Sequence, residues 1–195
     1  MLADIIEAPH GQTHVMQHTF RCVLTALSEP LRPISLPVIK SPEGMNSGLW
    51  ALILTLLDQD VSVCWPGMTE SMRSNLLFHT GVRVTEIPED ADWLIVDAAD
   101  PSTESILDRV SVGTHERPDT AASVIFLAAH DATDVLAEGP GFKDPQELKL
   151  ALSESLVYRL IQNTQSYPLG FDSYLIQEQT VIGLPRSTRL MVRTD

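Results

Sequence analysis

The stretch Tyr167-Pro168-Leu169-Gly170-Phe171-Asp172 begins the closing segment of this chain, and Leu184-Pro185-Arg186-Ser187-Thr188-Arg189 follows eleven residues later. Proline and glycine in the first motif indicate a turn. Residues 173–176 and 180–184 have the composition of two short strands around a polar connection, and Pro185 ends the second. The segment therefore predicts a β-hairpin framed by two turns.

Three arginines cluster at the end of an otherwise acidic sequence: Arg186, Arg189 and Arg193. Arg186 follows the second predicted strand, where its guanidinium can hold a carboxylate or phosphate bidentately, or can pair with Asp172 across the hairpin turn. The sequence favours the ion pair with Asp172, and the anion site is the alternative.

His79 is a further titratable candidate, because it ends a predicted helix immediately before Thr80-Gly81. A histidine in the last turn interacts favourably with the helix dipole, and Gly81 can adopt a left-handed cap. This capping role is favoured over that of a catalytic base. Arg186, His79 and Asp172 form the candidate ligand-binding set, and no catalytic residue or metal ligand is assigned.

The composition is that of one globular domain. Of the 195 residues, 44% are hydrophobic and 20% are charged, which is close to the average for folded proteins. A chain of this length buries about two-thirds of the surface that its unfolded state exposes. We expect a single domain over residues 1–195, with residues 1–12 as a loose lead-in.

The charge is strongly negative, with 13 basic against 26 acidic residues and a formal net charge of -13. Residues 85–110 hold eight acidic side chains against Arg109 alone. Such a surface repels phosphate backbones, which argues against nucleic-acid binding. Two interpretations remain: a solvated face, or a face complementary to basic partner subunits.

The two cysteines, Cys22 and Cys64, stand in apolar settings without any CxxC or Cys/His metal spacing, which predicts buried thiols in a reducing compartment. The most apolar stretch, residues 49–57, is about half as long as a membrane span. The N-terminus lacks the basic flank and apolar core of a secretory signal. The sequence thus predicts a cytoplasmic protein with no membrane segment.

Helix and strand patterns alternate along the chain. Helices are expected at residues 13–28 with Thr13 as cap, and then at 49–57, 69–78, 101–110 and from Asp144-Pro145 onward. The first has the apolar stripe Val15, Phe20, Val23, Leu24 and Leu27, and the last has Leu148, Leu152, Leu156, Leu160 and Ile161. Strands are expected at 61–65, 83–85, 93–96, 123–129, 134–141 and 189–193, besides the hairpin. This order predicts an α/β domain, a mixed sheet flanked by helices on both faces.

Common catalytic motifs are absent: there is no GxSxG, HExxH or GxxxxGK[ST], and Gly139-Pro140-Gly141 lacks the third glycine of a dinucleotide loop. Three histidines at a spacing of four lack a carboxylate or cysteine partner, which favours a polar helix face over a metal site: His10, His14 and His18. No lysine stands in a motif typical of an aldehyde-cofactor pocket; the three are Lys40, Lys143 and Lys149. The sequence predicts no cofactor.

Several short sequence blocks are distributed through most of the chain. They are Phe20-Arg21, Ala26-Leu27-Ser28-Glu29-Pro30, Leu54-Thr55-Leu56-Leu57-Asp58-Gln59-Asp60, Leu76-Leu77-Phe78-His79-Thr80-Gly81, Gly139-Pro140-Gly141, Arg159 with Asn163, Pro168-Leu169-Gly170-Phe171-Asp172, and Leu184-Pro185-Arg186-Ser187-Thr188. Together these blocks resemble the PhnH family of the bacterial carbon-phosphorus lyase machinery for phosphonate use. Leu77, Leu31 and Ser187 depart from the arginine, glycine and threonine usual there, which weakens any anion contact at position 77.

The resemblance implies a three-layer α/β sandwich similar to the large domain of pyridoxal-phosphate transferases, but without their cofactor site. It also implies a core complex with PhnG, PhnI and PhnJ subunits. With PhnL, the G, H and I subunits are associated with transfer of the ribose triphosphate moiety of ATP to an alkylphosphonate. Radical cleavage of the carbon-phosphorus bond belongs to the J subunit, whose cluster two cysteines could not hold.

Two functional hypotheses follow from the residues and the resemblance. The first is an accessory subunit without chemistry of its own, homodimeric when isolated. The second is a phosphonate- or nucleotide-binding subunit in which Arg186 and His79 contribute to a site near a subunit boundary. A degenerate cofactor-fold protein that binds an unrelated metabolite is a third, less favoured interpretation.

Overall fold

The computed structural model describes residues 5–193. Its helices are α1 (Gln12–Ser28), α2 (Ser47–Leu56), α3 (Glu70–Thr80), α4 (Thr103–Leu107) and α5 (Glu154–Gln165). Its strands are β1 (Ile34–Ser35), β2 (Ser62–Cys64), β3 (Arg83–Thr85), β4 (Trp93–Asp97), β5 (Ser123–Leu127), β6 (Thr133–Glu138), β7 (Gln146–Leu150), β8 (Asp172–Gln177), β9 (Thr180–Leu184) and β10 (Arg189–Val192). Across residues 5–193, no helix has the length and apolar character needed to cross a membrane.

Seven strands form the main sheet in the order β1-β9-β8-β5-β4-β2-β3. The five strands from β8 to β3 are mutually parallel, whereas β9 pairs antiparallel with both β8 and β1. The predicted mixed sheet is therefore confirmed. The predicted hairpin is also confirmed as β8 and β9, with Ser173 opposite Leu184.

Two hydrophobic cores lie on opposite faces of this sheet, because successive side chains of a strand point to opposite faces. In β4, Leu94 and Val96 join one core and Ile95 joins the other. One core is covered by α4, α5 and a small antiparallel sheet of order β10-β6-β7, and the other is covered by α1, α2 and α3. The expected helices on both faces are confirmed, and the small sheet is an additional feature.

The start of α1 differs from its prediction. The helix begins at Gln12 after Gly11, whose φ of 65° lies in the left-handed region, so Thr13 is a helical residue and not the cap. The prediction for α3 is confirmed, because Thr69 accepts a hydrogen bond from the backbone of Met72 and caps that helix.

The buried face of α1 includes Val23 of the predicted stripe but not Phe20 or Leu24. Phe20 and Leu24 are 48% and 51% exposed, and the buried positions are Thr19, Cys22, Val23 and Ala26. The cause is a close approach to β9: a Cβ on Gly183 would lie 2.2 Å from the carbonyl oxygen of Ala26. Small side chains face the sheet here because the helix backbone nearly touches it.

The segment after Asp144-Pro145 is a strand, and the helix predicted there is wrong. Residues 146–150 form β7, paired with β6, while α5 begins only after Ser153, whose hydroxyl accepts the backbone N–H of Leu156. Leu148 and Leu150 are two residues apart, as a strand requires, and the helical spacing holds only from Leu156 onward. The leucines are therefore evenly spaced from the end of β7 into α5, and their spacing alone does not reveal the boundary between the strand and the helix.

Two of the sequence blocks meet where the loop after α1 packs against the turn at residues 139–141. A Cβ on Gly141 would lie 2.4 Å from Pro30 Cδ, and the φ of Gly141 is 90°. Leu31 has a φ of 66° and a side chain that is buried in the core. A left-handed backbone favours glycine, which accounts for the glycine usual at this position in the resembled family.

Candidate functional site

Arg186 and Asp172 meet at the amino-terminal end of β8. Asp172 is the first residue of β8, and Arg186 follows shortly after β9 ends at Leu184. Arg186 Nη2 lies 2.8 Å and Nε 3.2 Å from Asp172 Oδ2, and the Arg186 backbone N–H donates to Oδ1 at 2.8 Å. The ion pair that the sequence favours is present in the structure.

The Arg186 guanidinium has an acceptor within the chain for each of its three nitrogens. Besides the two bonds to Asp172, Nη1 lies 3.0 Å from the carbonyl oxygen of Pro118 and 3.4 Å from that of Pro168. The side chains of Arg186 and Asp172 are 16% and 31% exposed. A phosphate or phosphonate at this position would compete with these acceptors. The geometry is therefore that of a structural ion pair, in which Arg186 links the start of β8 to two neighbouring loops.

A second polar contact fixes the turn that leads into β8. Asn163 Nδ2 donates to the carbonyl oxygen of Phe171 at 2.8 Å, and the Phe171 N–H donates back to Asn163 Oδ1 at 3.0 Å. Both residues are buried. Gly170 has a φ of 111°, and a Cβ there would lie 2.5 Å from Asn163 Oδ1. The turn into β8 therefore requires both the Asn163 side chain and a glycine at position 170.

Tyr174 lies two residues further along β8. Its ring stacks on that of Trp93, with the centroids 6.1 Å apart. Burial raises the pKa of the Tyr174 hydroxyl, and the Asp172 carboxylate raises this pKa further, because both disfavour the phenolate. This end of the sheet thus holds a neutral phenol beside a neutralised ion pair.

His79 lies in another part of the molecule. Its Nε2 is 3.0 Å from the carbonyl oxygen of Ile6, and the Ile6 N–H donates to Asn75 Oδ1 at 2.9 Å. The imidazole also meets the Trp50 indole edge-on, at 5.5 Å between centroids. Asn75 and His79, one turn apart on α3, thus hold both backbone polar groups of Ile6. The expected helix-end position is confirmed, since Gly81 follows as a left-handed cap with a φ of 68°.

The structure brings together two members of the predicted set and leaves the third apart. Arg186 and Asp172 are bonded to each other, whereas His79 lies on α3, which joins β2 to β3. Strands β4 and β5 separate that edge of the sheet from β8. Within residues 5–193, His79 shares no hydrogen bond or ring contact with the Arg186–Asp172 pair.

The thiols and histidines do not converge. Cys22 and Cys64 are both buried and unbonded to each other, and burial raises the pKa of each thiol. The part of the chain that the structure describes contains no group of three or more His, Cys, Asp or Glu side chains arranged to hold a metal ion.

Sequence reasoning missed a crevice of about 370 Å³ at the carboxyl ends of β2, β4, β5 and β8. Its polar side chains include Asp97, Asp100 and Glu178, and Trp65 and Ile176 contribute to its apolar lining. The strand order reverses between β2 and β4, and open α/β sheets typically bind ligands in the crevice at such a point. The sequence offered one signal for this crevice: Asp97 is the last residue of a buried strand. The carboxyl ends of parallel strands meet at one edge of a sheet, so a polar residue there lies where a crevice can form.

Comparison with known proteins defines the class of this α/β chain. It belongs to the family of bacterial phosphonate metabolism proteins (PhnH), whose model matches residues 9–191. Among curated proteins, it is similar to the alpha-D-ribose 1-methylphosphonate 5-triphosphate synthase subunit PhnH of Rhizobium meliloti (strain 1021), with 28% identity over 187 residues and 89% of each chain covered. The family resemblance of the sequence blocks is therefore confirmed.

Proposed function

We propose that this chain is an accessory subunit of a carbon-phosphorus lyase core complex, without catalytic activity of its own. In this role it is needed, with PhnG, PhnI and PhnL, to transfer the ribose triphosphate moiety of ATP to methylphosphonate during phosphonate catabolism. The observation that carries the proposal is the family match over residues 9–191. The relative, named as a subunit of a synthase, supports it.

The arrangement of Arg186 supports an accessory role over a catalytic one. Its guanidinium is engaged by Asp172 and by the carbonyl oxygens of Pro118 and Pro168. Residues of the sequence blocks such as Asn163 and Gly170 fix the turn into β8. These residues therefore have a sufficient explanation in the stability of the fold.

Exposed apolar side chains support contact with other subunits. Phe20 and Leu24 are four residues apart on α1, so they share one exposed helix face. Phe78, at the end of α3, is 69% exposed. The same proposal includes PhnG, PhnI and PhnJ-type subunits as partners and a homodimer as the state of the isolated chain. It also includes a cytoplasmic assembly and a fold related to the large domain of pyridoxal-phosphate transferases, without their cofactor site.

Direct binding of phosphonate or nucleotide through Arg186 and His79 is the second candidate function. The observation in its favour is that the Arg186 side chain keeps 16% of its surface exposed. Isothermal titration of ATP and methylphosphonate into wild type and Arg186→Ala tests it. Heat that is released by wild type and lost in Arg186→Ala supports this candidate, and no heat with either protein removes it for the isolated chain.

Co-expression with tagged PhnI and untagged PhnG and PhnJ from one bacterium tests the accessory role. We expect the chain to be retained with tagged PhnI in constant proportion through affinity and size-exclusion steps. A chain that elutes alone, while the other subunits remain together, would contradict the proposed function.

A further inference from the structure

The small antiparallel sheet ends in a strand that has a neighbour on one side only. In the order β10-β6-β7, β7 pairs with β6, and no other strand within residues 5–193 pairs with it. Its five residues make it the longest of the four strands at a sheet edge, since β1, β3 and β10 have two, three and four. An unpaired edge presents backbone N–H and C=O groups with which another chain can pair.

The hydrogen bonds of β6 show which backbone groups of β7 face this edge. The Arg193 N–H donates to the Asp134 carbonyl oxygen at 2.9 Å, so the polar backbone groups of Asp134 face β10. Alternate residues of an antiparallel strand face opposite neighbours, so the next residue of β6 faces β7, where it lies opposite Leu148. Leu148 therefore bonds to β6, and the N–H and C=O groups of Glu147 and Lys149 face outward. Among residues 5–193, no segment outside the sheet bonds to them.

The charges of β7 complement those of a second copy of the same strand. The strand reads Gln-Glu-Leu-Lys-Leu, with an acid and a base on either side of Leu148. When two such strands run antiparallel around a twofold axis at Leu148, Glu147 of each copy lies opposite Lys149 of the other. These are the residues whose backbone groups face outward, so each opposed pair can also exchange both of its backbone hydrogen bonds.

The charges select this register over its neighbours. Sliding one strand by two residues is the smallest shift that keeps the outward backbone groups opposed. Such a shift places either Glu147 against the partner's Glu147 or Lys149 against the partner's Lys149. Like charges directly opposite each other destabilise a strand pair. Backbone direction and side-chain charge therefore agree on a single register, centred on Leu148.

The ion pairs within one copy extend this complementarity. Lys149 lies 3.4 Å from Asp134, and Glu147 pairs with Arg193. In the twofold arrangement, Lys149 lies between Asp134 and the partner's Glu147, and Glu147 lies between Arg193 and the partner's Lys149. Each charge of β7 then has neighbours of opposite sign on both sides, which favours the strand pair.

The opposite edge of the same sheet lacks this complementarity. Charged residues on an edge strand also serve to prevent pairing, and β10 has this pattern. Arg189 and Arg193 lie on either side of Met191, so antiparallel self-pairing centred there would oppose arginine to arginine. In addition, α5 packs against β10. The two edges of one small sheet thus differ, and only the charges of β7 suit a second copy.

A groove of about 420 Å³ runs beside β7, between this strand and the loop after α1. Phe142 and Leu148 line it and are half-buried against the core. Glu29, Pro30 and Gly141, which belong to the family blocks, line it as well. The blocks thus shape the surface next to the edge, and a second copy at this edge would cover the exposed parts of the two apolar side chains.

We propose that the occupant of this edge is a second copy of the chain, which pairs antiparallel with β7 around a twofold axis at Leu148. Glu147 and Lys149 form backbone hydrogen bonds and ion pairs with the partner's Lys149 and the partner's Glu147, and Leu148 meets the partner's Leu148. The two small sheets become one continuous sheet. This inference rests on the proposed function, because it locates the interface of the homodimer included there.

Sedimentation equilibrium of the isolated chain tests the charge pairing. Glu147→Lys alone opposes lysine to lysine, and Lys149→Glu alone opposes glutamate to glutamate. We expect wild type to dimerise and each single variant to raise the dissociation constant of the dimer about tenfold, because every dimer contains the reversed cross-strand pair twice.

An equal mixture of the two variants is the matched control. Each variant supplies the charge that the other lacks, so we expect a heterodimer about as stable as the wild-type dimer. Any repulsion that a substitution creates within its own copy, beside Arg193 or Asp134, is the same in homodimer and heterodimer. Recovery in the mixture therefore reports only the pairing between copies.

Leu148→Cys tests the position of the twofold axis. Opposed residues of a non-hydrogen-bonded antiparallel pair have Cα atoms about 4.5 Å apart, which a disulfide can span. Mild oxidation with copper phenanthroline should therefore join two copies of this variant. Met191→Cys, at an exposed position of β10, is the control and should stay unlinked at the same protein concentration. Wild type should also stay unlinked, because Cys22 and Cys64 are buried.

Several outcomes overturn the edge pairing. They are a wild type that stays monomeric, single variants that dimerise as tightly as wild type, a mixture without heterodimer, and Met191→Cys that cross-links as readily as Leu148→Cys. A chain that is monomeric alone, but whose Glu147 and Lys149 amides are protected from hydrogen exchange in the complex, assigns the edge to another subunit and also overturns it.

Co-expression with PhnG, PhnI and PhnJ separates this proposal from the proposed function. If wild type is not retained with tagged PhnI, the accessory role fails, whatever the oligomeric state of the isolated chain. If wild type is retained while the charge variants dimerise as wild type does, the edge pairing alone fails.

Discussion

The two ends of the parallel strands use their charged side chains in opposite ways. At the amino end, Arg186 and Asp172 are bonded to each other and to nearby carbonyl groups. At the carboxyl end, Asp97 and Glu178 keep carboxylate oxygens that have no hydrogen-bond or ion-pair partner among residues 5–193. The sequence blocks typical of the family contribute the first pair and none of the crevice lining. The recognisable motifs of this chain therefore mark contacts that the fold requires.

The largest effect is expected from Asn163→Leu at the amino end. This change leaves the buried N–H and carbonyl of Phe171 without partners, and each such group costs about 1–3 kcal/mol. The free energy of unfolding in urea should fall by about 2–6 kcal/mol. Gln162→Leu, at the exposed neighbouring position, should change it by less than about 0.5 kcal/mol. Equal effects of both substitutions would contradict the structural role.

Arg186→Ala should have the next largest effect. The pair with Asp172 is partly buried, so its loss should lie between that of exposed and fully buried pairs, at about 2 kcal/mol in the free energy of unfolding. Arg186→Lys should recover only part of this, because a single ammonium nitrogen cannot reproduce the planar, bidentate geometry of the guanidinium. Arg189→Ala breaks an exposed pair with Glu138 and is the control. If Arg186→Ala lowers the free energy of unfolding no more than Arg189→Ala does, the Arg186–Asp172 pair does not stabilise the fold.

Alkaline pH should weaken the fold through Tyr174. Below about pH 10 the Tyr174 phenol is protonated in both the folded and the unfolded chain. Above it, the unfolded chain loses the proton while burial and Asp172 keep the folded pKa raised, so stability falls with rising pH by up to about 1.4 kcal/mol per pH unit. Unfolding measured between about pH 9 and 11 should show a smaller slope in Tyr174→Phe. Tyr158→Phe, at an exposed tyrosine, should keep the wild-type slope, and equal slopes in both variants would refute this assignment.

The smallest effect on stability is expected at the carboxyl end. Asp97→Asn combined with Glu178→Gln removes exposed carboxylates that make no ion pair in the described chain, so the unfolding free energy should change by less than about 0.5 kcal/mol per site. Thermal and urea unfolding of the double variant measure this. A loss above about 2 kcal/mol, beyond the usual range for surface sites, would show that these carboxylates hold the fold together.

Local sequence signals predicted the parts of the molecule that are close in the chain. The hairpin and the Arg186–Asp172 pair were predictable because one turn joins two adjacent strands. Evenly spaced leucines misled the assignment of β7, since Leu148 belongs to a strand and Leu156 to a helix. Long-range packing decided the face of α1, where the approach to Gly183 favours small side chains.

The crevice could not be predicted because it assembles residues that are distant in the chain. Asn46, Trp65, Asp97 and Glu178 come from four different strand ends or loops, and only the strand order places them together. No local motif accompanies them. A sequence-based search for polar residues directly after predicted parallel strands would have found Asp97.

Release of adenine from ATP in the presence of methylphosphonate tests the central claim most directly. The assay compares this chain alone, PhnG, PhnI and PhnL without it, and all four together. An accessory subunit predicts no release by the chain alone, little by the three partners, and full release only by the complete set. Release by the chain alone at a rate comparable to the complete set would contradict the account.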